Sequence, residues 1–141
     1  MKVVAALTLL ISSAALAAPA RPMPRWTAAG RGAGGVIEID RASLNWRSMQ
    51  RAWWRIHYAP ARSDGTVEER NLELIDCSAG VSAPIETISL DAAGAVIADQ
   101  RDGEDLALQR MGPPTPDTPG ETVAIQACRM RPPPPPPRRH R

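Results

Sequence analysis

Apolar and polar residues alternate with a period of two through much of the middle of the chain, which is the pattern of β-strands that bury one face. Alternation or a high content of β-branched residues predicts strands at 36–40, 51–58, 66–77, 81–90 and 95–98, with a weaker one at 106–110. Turn signals separate them, notably Ser63-Asp64-Gly65 and Asp91-Ala92-Ala93-Gly94. Strands in series joined by short turns predict an antiparallel meander.

The pattern becomes helical near residue 118. The segment Thr118 to Glu121 is typical of a capping box, in which the threonine caps the helix, a proline takes the first helical position and the glutamate reaches back. Ala124, Ile125 and Cys128 follow at helical spacing, which places Ile125 and Cys128 on one face. The fold class is therefore α+β, a small antiparallel sheet of about five to six strands with one C-terminal α-helix.

The first residues differ in composition from the rest of the chain. Lys2 precedes an apolar run from Val3 to Ile11, and small residues follow, in the order of a signal peptide. We expect cleavage between Ala17 and Ala18, after the small residues of Ala15-Leu16-Ala17. A membrane anchor is the alternative, but the run is shorter than the roughly 20 residues that span a bilayer. The expected product is periplasmic or extracellular, without an integral membrane segment, and without a lipid anchor because Ala18 is not a cysteine.

The chain contains two cysteines, Cys77 and Cys128. An even pair in a protein bound for an oxidising compartment predicts a disulfide. This bond would hold the C-terminal helix on the sheet, and closing a loop of about 50 residues stabilises a fold by about 4 kcal/mol on the chain-entropy model. The alternative is a redox or nucleophilic thiol, for which the sequence lacks a Cys-x-x-Cys motif.

Charge divides the chain after the signal peptide (1–17) into a leader rich in proline and arginine (18–25), a body (26–130) and a proline-rich basic tail (131–141). All 15 acidic residues lie in the body with 10 of the arginines, which leaves the body at about −5. An acidic body argues against nucleic acid as a partner. The tail is expected to be a polyproline segment that either tethers the body electrostatically to an anionic envelope surface or has no partner.

The sequence lacks the residues that the common phosphate-binding, calcium-binding and serine-hydrolase motifs require. The glycines at 32–35 precede a strand and lack the later glycine of a phosphate-binding loop. The acidic stretch at 99–105 carries Arg101 and Gly103 where a calcium loop needs oxygen ligands. His57 is the only histidine of the body, and no serine lies in a Gly-x-Ser-x-Gly setting. We predict no catalytic residue, metal site or cofactor. A catalytic pair of carboxylates is the open alternative, because the spacing of the 15 acidic residues does not single out one pair.

Alternation divides the strand at 51–58 into two faces of different chemistry. The first is apolar and expected in the core: Ala52, Trp54, Ile56 and Tyr58. The second, which we call the arginine–indole strip, is the candidate binding surface: Arg51, Trp53, Arg55 and His57. Arginine forks and indole stacking would suit an acidic partner, a glycan or a phosphate. The alternative is that Trp53 lies under neighbouring chains with arginine stems packed across it.

The order of landmarks in the body resembles a known family. The landmarks are Trp26, Ile39-Asp40 with Ser43, Trp53-Trp54, Ile75-Asp76-Cys77, Asp91-x-x-Gly94, Pro119-Gly120-Glu121 and Cys128. In this order they resemble the surface-adhesin protein E-like domain, over Trp26 to Cys128. The resemblance implies a compact antiparallel sheet with a C-terminal helix tied by the two cysteines. The founding adhesin is an outer-membrane lipoprotein that binds host matrix proteins, whereas this chain has no cysteine at the predicted cleavage site and adds a tail.

Two functions of different classes follow. The first is an exported, non-enzymatic binding module whose partner is a protein, an anionic envelope component or a second copy of the chain in a homodimer. The second is a periplasmic envelope protein with a structural or regulatory role. An exposed Trp53 would favour the first function. A cleft with perturbed carboxylates would favour an enzyme instead.

Overall fold

The computed structural model describes residues 26–44 and 49–130. The predicted signal peptide, leader and tail lie outside these residues. Within them, six antiparallel strands form one sheet in chain order, which confirms the predicted meander. The strands are β1 (Trp26–Gly32), β2 (Gly35–Asp40), β3 (Gln50–Tyr58), β4 (Glu68–Asp76), β5 (Val81–Leu90) and β6 (Val96–Arg101). A short 3-10 helix (Arg41–Ser43) follows β2, and two α-helices complete the fold, α1 (Glu104–Arg110) and α2 (Pro119–Arg129).

Aspartate side chains fix the two predicted turns. Oδ1 of Asp64 accepts a hydrogen bond from the backbone N–H of Thr66 at 2.9 Å in the connection between β3 and β4. Oδ1 of Asp91 likewise accepts from the backbone amides of Ala93 and Ala95 at 2.9 and 2.8 Å, and Gly94 supplies the positive φ of +77°. Both turns therefore form where local sequence chemistry predicts them.

Residues 106–110 form part of α1, so the predicted strand there is wrong. Glu104 and Asp105 lie in the first turn and Arg110 in the last, an arrangement that favours a helix through its dipole. Ala107 is fully buried, whereas Leu108 is exposed, so the apparent alternation of leucines did not mark a sheet face. The strand β1 was also missing from the sequence prediction.

The helix α2 begins as predicted, with a different arrangement of its cap. The hydroxyl of Thr118 accepts from the backbone N–H of Glu121 at 3.3 Å, but the Glu121 carboxylate accepts from the backbone N–H of Asp117 at 2.8 Å. The buried residues of the helix are Val123, Ala124 and Ala127. Ile125 and Cys128 line the same small hollow, so they lie on one face as predicted, although Ile125 is 44% exposed.

The two helices pack on opposite faces of the sheet, and we name the faces after them. On the α2 face, the helix covers β1, β2 and β3 over a core of Ile37, Ile39, Ala52, Trp54, Ile56 and Ile75. On the α1 face, the shorter helix packs Ala107 against Leu74 and Ala83 of β4 and β5. The predicted disulfide is confirmed: Cys77, just after β4, is bonded to Cys128 of α2. Each helix thus covers only part of its face.

Candidate functional sites

The arginine–indole strip lies on the α1 face of β3, as its alternation predicts. The side chains between its members point to the core, with Ala52 and Ile56 fully buried and Trp54 5% exposed. Tyr58, expected in the core, is only partly buried and lies at the edge of the α2-side cluster. Trp53 is partly exposed and its backbone N–H donates to the hydroxyl of Ser43 at 2.8 Å. The structure therefore places the four strip residues on one surface, as the alternation predicts.

Carboxylates on neighbouring elements compensate the positive charge of the strip. The ion pairs are Arg51 with Glu104 and Arg55 with Glu38 and Glu68. The ring nitrogens of His57 lie 3.6 Å from the Glu38 carboxylate and 3.3 Å from the Glu68 carboxylate. The Arg55 pair with Glu38 is the best placed, with 2.8 Å between Nε and Oε2 and both side chains about four-fifths buried. Because its arginines are paired with carboxylates of β2, β4 and α1, the strip is not a simple cationic surface.

Two indoles share this part of the α1 face. The Arg55 guanidinium lies over the ring of Trp26, 4.5 Å from its centroid, which is the geometry of a cation–π contact. Trp26 and Trp53 line the same shallow hollow of about 240 Å³, together with Asp40, Arg70 and Ile88. Both indoles are partly exposed. The hollow combines two large aromatic surfaces with charged groups at its rim.

The α2 face holds a second candidate site that the sequence analysis missed. It is a cleft of about 510 Å³ beyond the edge of α2, and we call it the β4 cleft. Its lining includes polar and aromatic residues of β3, β4 and β5, namely Trp54, Tyr58, Glu69, Asn71, Glu73 and Thr87. The segment between the helices adds Pro113, Pro114 and Thr115, and α2 adds Pro119 and Gly120. The cleft therefore has a polar sheet surface and a proline-rich wall.

A chain of hydrogen bonds runs across the sheet surface of the β4 cleft. The Thr87 hydroxyl donates to Oδ1 of Asn71 at 2.7 Å, and Nδ2 of Asn71 donates to Oε1 of Glu69 at 3.1 Å. The other carboxylate oxygen of Glu69 lies 3.3 Å from Nη1 of Arg62 and 3.4 Å from the hydroxyl of Tyr58. Glu69 thus has a cationic partner within the chain.

Glu73 has a different environment, although it lies on the same face of β4. It is 5% exposed, and its Oε2 lies 3.5 Å from the indole Nε1 of Trp54. Burial raises the pKa of its carboxyl, an effect that hydrogen bonds from Ser82 and Trp54 partly oppose. Within residues 26–44 and 49–130, no basic side chain forms a salt bridge with Glu73.

A signal for the β4 cleft was present in the sequence. Glu69, Asn71 and Glu73 occupy alternate positions of one strand, so they share a face, and that face is the one on which α2 packs. Polar residues on the covered side of a sheet break the usual pattern, and such breaks are expected at functional sites. The described residues contain no group of three or more histidine, cysteine, aspartate or glutamate side chains placed so that they could hold a metal ion.

Comparisons with models of protein families, with curated proteins and with solved structures find no match to this chain. The resemblance to the surface-adhesin protein E-like domain thus rests on the order of sequence landmarks and stays a prediction. Among the helices of the described residues, none is both long and apolar enough to cross a membrane.

Proposed function

We propose that this chain is an exported, non-enzymatic binding module that holds a protein partner on the α1 face of its sheet. The observation that supports the proposal most is the pairing of Trp26 and Trp53 in one partly exposed hollow, with the Arg55 guanidinium against the first ring. Tryptophan and arginine are the residues that most often dominate the binding energy of protein interfaces. A role of this kind is what the resemblance to the surface-adhesin protein E-like domain implies.

The shape of the surface favours a protein over a small ligand. The hollow between the indoles has about 240 Å³, below the range of about 300–1,000 Å³ that is usual for small-molecule pockets. It lies on a sheet face, where a partner can contact residues of several strands at once. A shallow hollow with two aromatic anchors is therefore better suited to a protein surface than to a single small molecule.

The charges of the face favour recognition by contact over recognition by long-range attraction. Glu38 and Glu68 neutralise Arg55, so a purely anionic partner gains little from approaching the strip. The partner is expected to bury the indoles and to exchange hydrogen bonds with the ion pairs at the rim. Binding should consequently depend only weakly on ionic strength.

The β4 cleft contains a carboxyl with a raised pKa, the feature that would favour an enzyme. Glycoside hydrolysis needs two carboxyl groups about 5–9.5 Å apart. The nearest acidic residue on the same face of β4 is Glu69, four positions from Glu73, which along a strand corresponds to about 13 Å between Cα atoms. Arg62, Tyr58 and Asn71 already bind the Glu69 carboxylate. These contacts support a binding function over a catalytic one.

The proposal is tested by placing a photo-cross-linking amino acid at position 53 in the full chain, expressed in the cell that produces it. The matched control carries the same group at position 125, which is exposed on α2. We expect a specific protein adduct from position 53 and none from position 125. The purified partner should then bind the wild-type chain at least tenfold more tightly than the Trp53→Ala variant, which is the loss expected for an interface anchor.

Two results would contradict the proposal. One is equal cross-linking from both positions, and the other is unchanged affinity of the identified partner for the Trp53→Ala variant. Fractionation of the same cells locates the chain. Retention in the periplasm without a partner at position 53 would favour the alternative, a periplasmic envelope protein with a structural or regulatory role.

A further inference from the structure

We propose that the β4 cleft binds a small organic cation, with a guanidinium or ammonium group held by Glu73 beside the indole of Trp54. This site lies on the α2 face, opposite the surface proposed for the protein partner. The proposal is therefore independent of the function proposed above.

Glu73 is a buried acid, and no basic side chain of the described residues forms a salt bridge with it. A carboxylate that leaves water loses hydration that must be replaced, and it can accept about four hydrogen bonds. Here the partners are two neutral groups, the Trp54 indole N–H at 3.5 Å and the Ser82 hydroxyl. An incoming cation would supply the charge that compensates this buried group.

The neighbouring position of the same strand shows how the chain binds a guanidinium. Glu69 and Tyr58 together hold Arg62, whose guanidinium carbon lies 5.4 Å from the Tyr58 ring centroid and whose Nη1 lies 3.3 Å from the Glu69 carboxylate. Glu73 and Trp54 repeat this combination of a carboxylate and an aromatic ring four residues further along β4 and on β3. The combination at Glu73 holds no guanidinium from the described part of the chain.

The rest of the cleft suits the stem and the far end of such a ligand. Its volume of about 510 Å³ lies within the range of small-molecule pockets. Pro113, Pro114 and Pro119 provide apolar surface for an alkyl stem, and Asn71 offers a neutral amide. Arg110 also lines the cleft, and its guanidinium is bound to Asp102 at 2.7 Å.

The test is a titration of the full, oxidised chain with N-acetyl-L-argininamide, followed by NMR at the indole N–H of Trp54. The control ligand is N-acetyl-L-citrullinamide, which has nearly the same shape and no charge. We expect saturable shifts of the Trp54 signal with the arginine compound and at least tenfold weaker binding of the citrulline compound, because a charge-assisted hydrogen bond is much stronger than a neutral one. This comparison uses only the wild-type chain.

Variants locate the site. Glu73→Gln should weaken binding of the arginine compound at least tenfold, whereas Glu86→Gln, which removes the carboxylate that pairs with Arg101, should leave it unchanged. Trp53→Ala should also leave it unchanged, which separates this site from the proposed protein surface. Equal affinity for the two ligands would overturn the proposal. So would undiminished binding by Glu73→Gln, or no shift of Trp54 at about 10 mM ligand.

Discussion

The indole Nε1 of Trp54 lies 3.5 Å from a carboxylate oxygen of Glu73, and each of the two residues is only 5% exposed. They occupy neighbouring strands, where Trp54 is paired with Asn71 and Glu73 with Ala52. Trp54 therefore packs in the core beneath α2 and also lines the β4 cleft. Its side chain contributes both to the stability of the sheet and to the geometry of the cleft.

The two adjacent tryptophans of β3 should differ in their effect on stability. Trp54→Ala removes a buried ring and is expected to cost about 3 to 5 kcal/mol of unfolding free energy. Trp53→Ala truncates a partly exposed ring and should cost about 1 kcal/mol or less. Urea unfolding followed by far-UV circular dichroism measures both, each variant serving as the control of the other. Similar losses would mean that both faces of β3 are buried, and the arginine–indole strip would be abandoned as a binding surface.

The raised pKa of Glu73 predicts that the difference in stability between the wild-type chain and the Glu73→Gln variant depends on pH. Between the unfolded value of about 4.3 and its raised folded value, this carboxyl binds more protons in the folded chain than in the unfolded one. Its contribution to stability is therefore lost as the pH rises through that range, because the ionised form is desolvated. Glu73→Gln cannot ionise and should melt at a higher temperature than wild type at pH 7.

The matched comparison is the difference in melting temperature between Glu73→Gln and wild type, measured by calorimetry at several pH values and constant ionic strength. All other carboxyl groups titrate in both chains, so the difference isolates Glu73. It should shrink as the pH falls toward about 4. A difference that is constant, or that grows on acidification, would show that the burial of Glu73 does not disfavour its charge.

The strip could be predicted from the sequence because alternation within one strand is a local property. Its neutralisation could not, since it depends on sheet register. Pairing of β2 with β3 sets Glu38 opposite Arg55, and pairing of β3 with β4 sets His57 opposite Glu68. Such cross-strand partners follow from the tertiary arrangement, which the alternation of a single strand does not contain.

The sequence analysis did not predict strand β1 or the β4 cleft, and the reason is the same for both. Gly30 is a weak strand former, but α2 crosses β1 so closely there that an added Cβ would lie 2.9 Å from Cγ2 of Thr122. Packing therefore selects a glycine at a position where local preference argues against a strand. In the same way, the polar face of β4 is visible in the sequence, but whether it is covered or open depends on where α2 ends.

The disulfide should carry a large share of the stability. Cys77 and Cys128 are 51 residues apart, so the bond restricts the unfolded chain by about 4 kcal/mol on the chain-entropy model. Cys128→Ser should lower the melting temperature by several degrees or more. Reduction of the wild-type chain is the control and should lower it to a similar extent. Equal melting of oxidised and reduced protein would contradict this role.

At Gly35 the backbone of β2 leaves no room for a side chain beside β3. It pairs with Tyr58, and an added Cβ would lie 2.2 Å from the backbone carbonyl oxygen of His57, a contact that no side-chain rotation can relieve. Gly35→Ala should therefore force the two strands apart and cost about 1 to 3 kcal/mol or more. Gly112→Ala is the control, since its nearest atom would be the Arg110 carbonyl oxygen at 3.9 Å, and it should change the free energy of unfolding by about 0.5 kcal/mol or less. Chemical denaturation of both variants gives the comparison. Equal stability of the two would mean that β2 and β3 are not held in this register beside the arginine–indole strip.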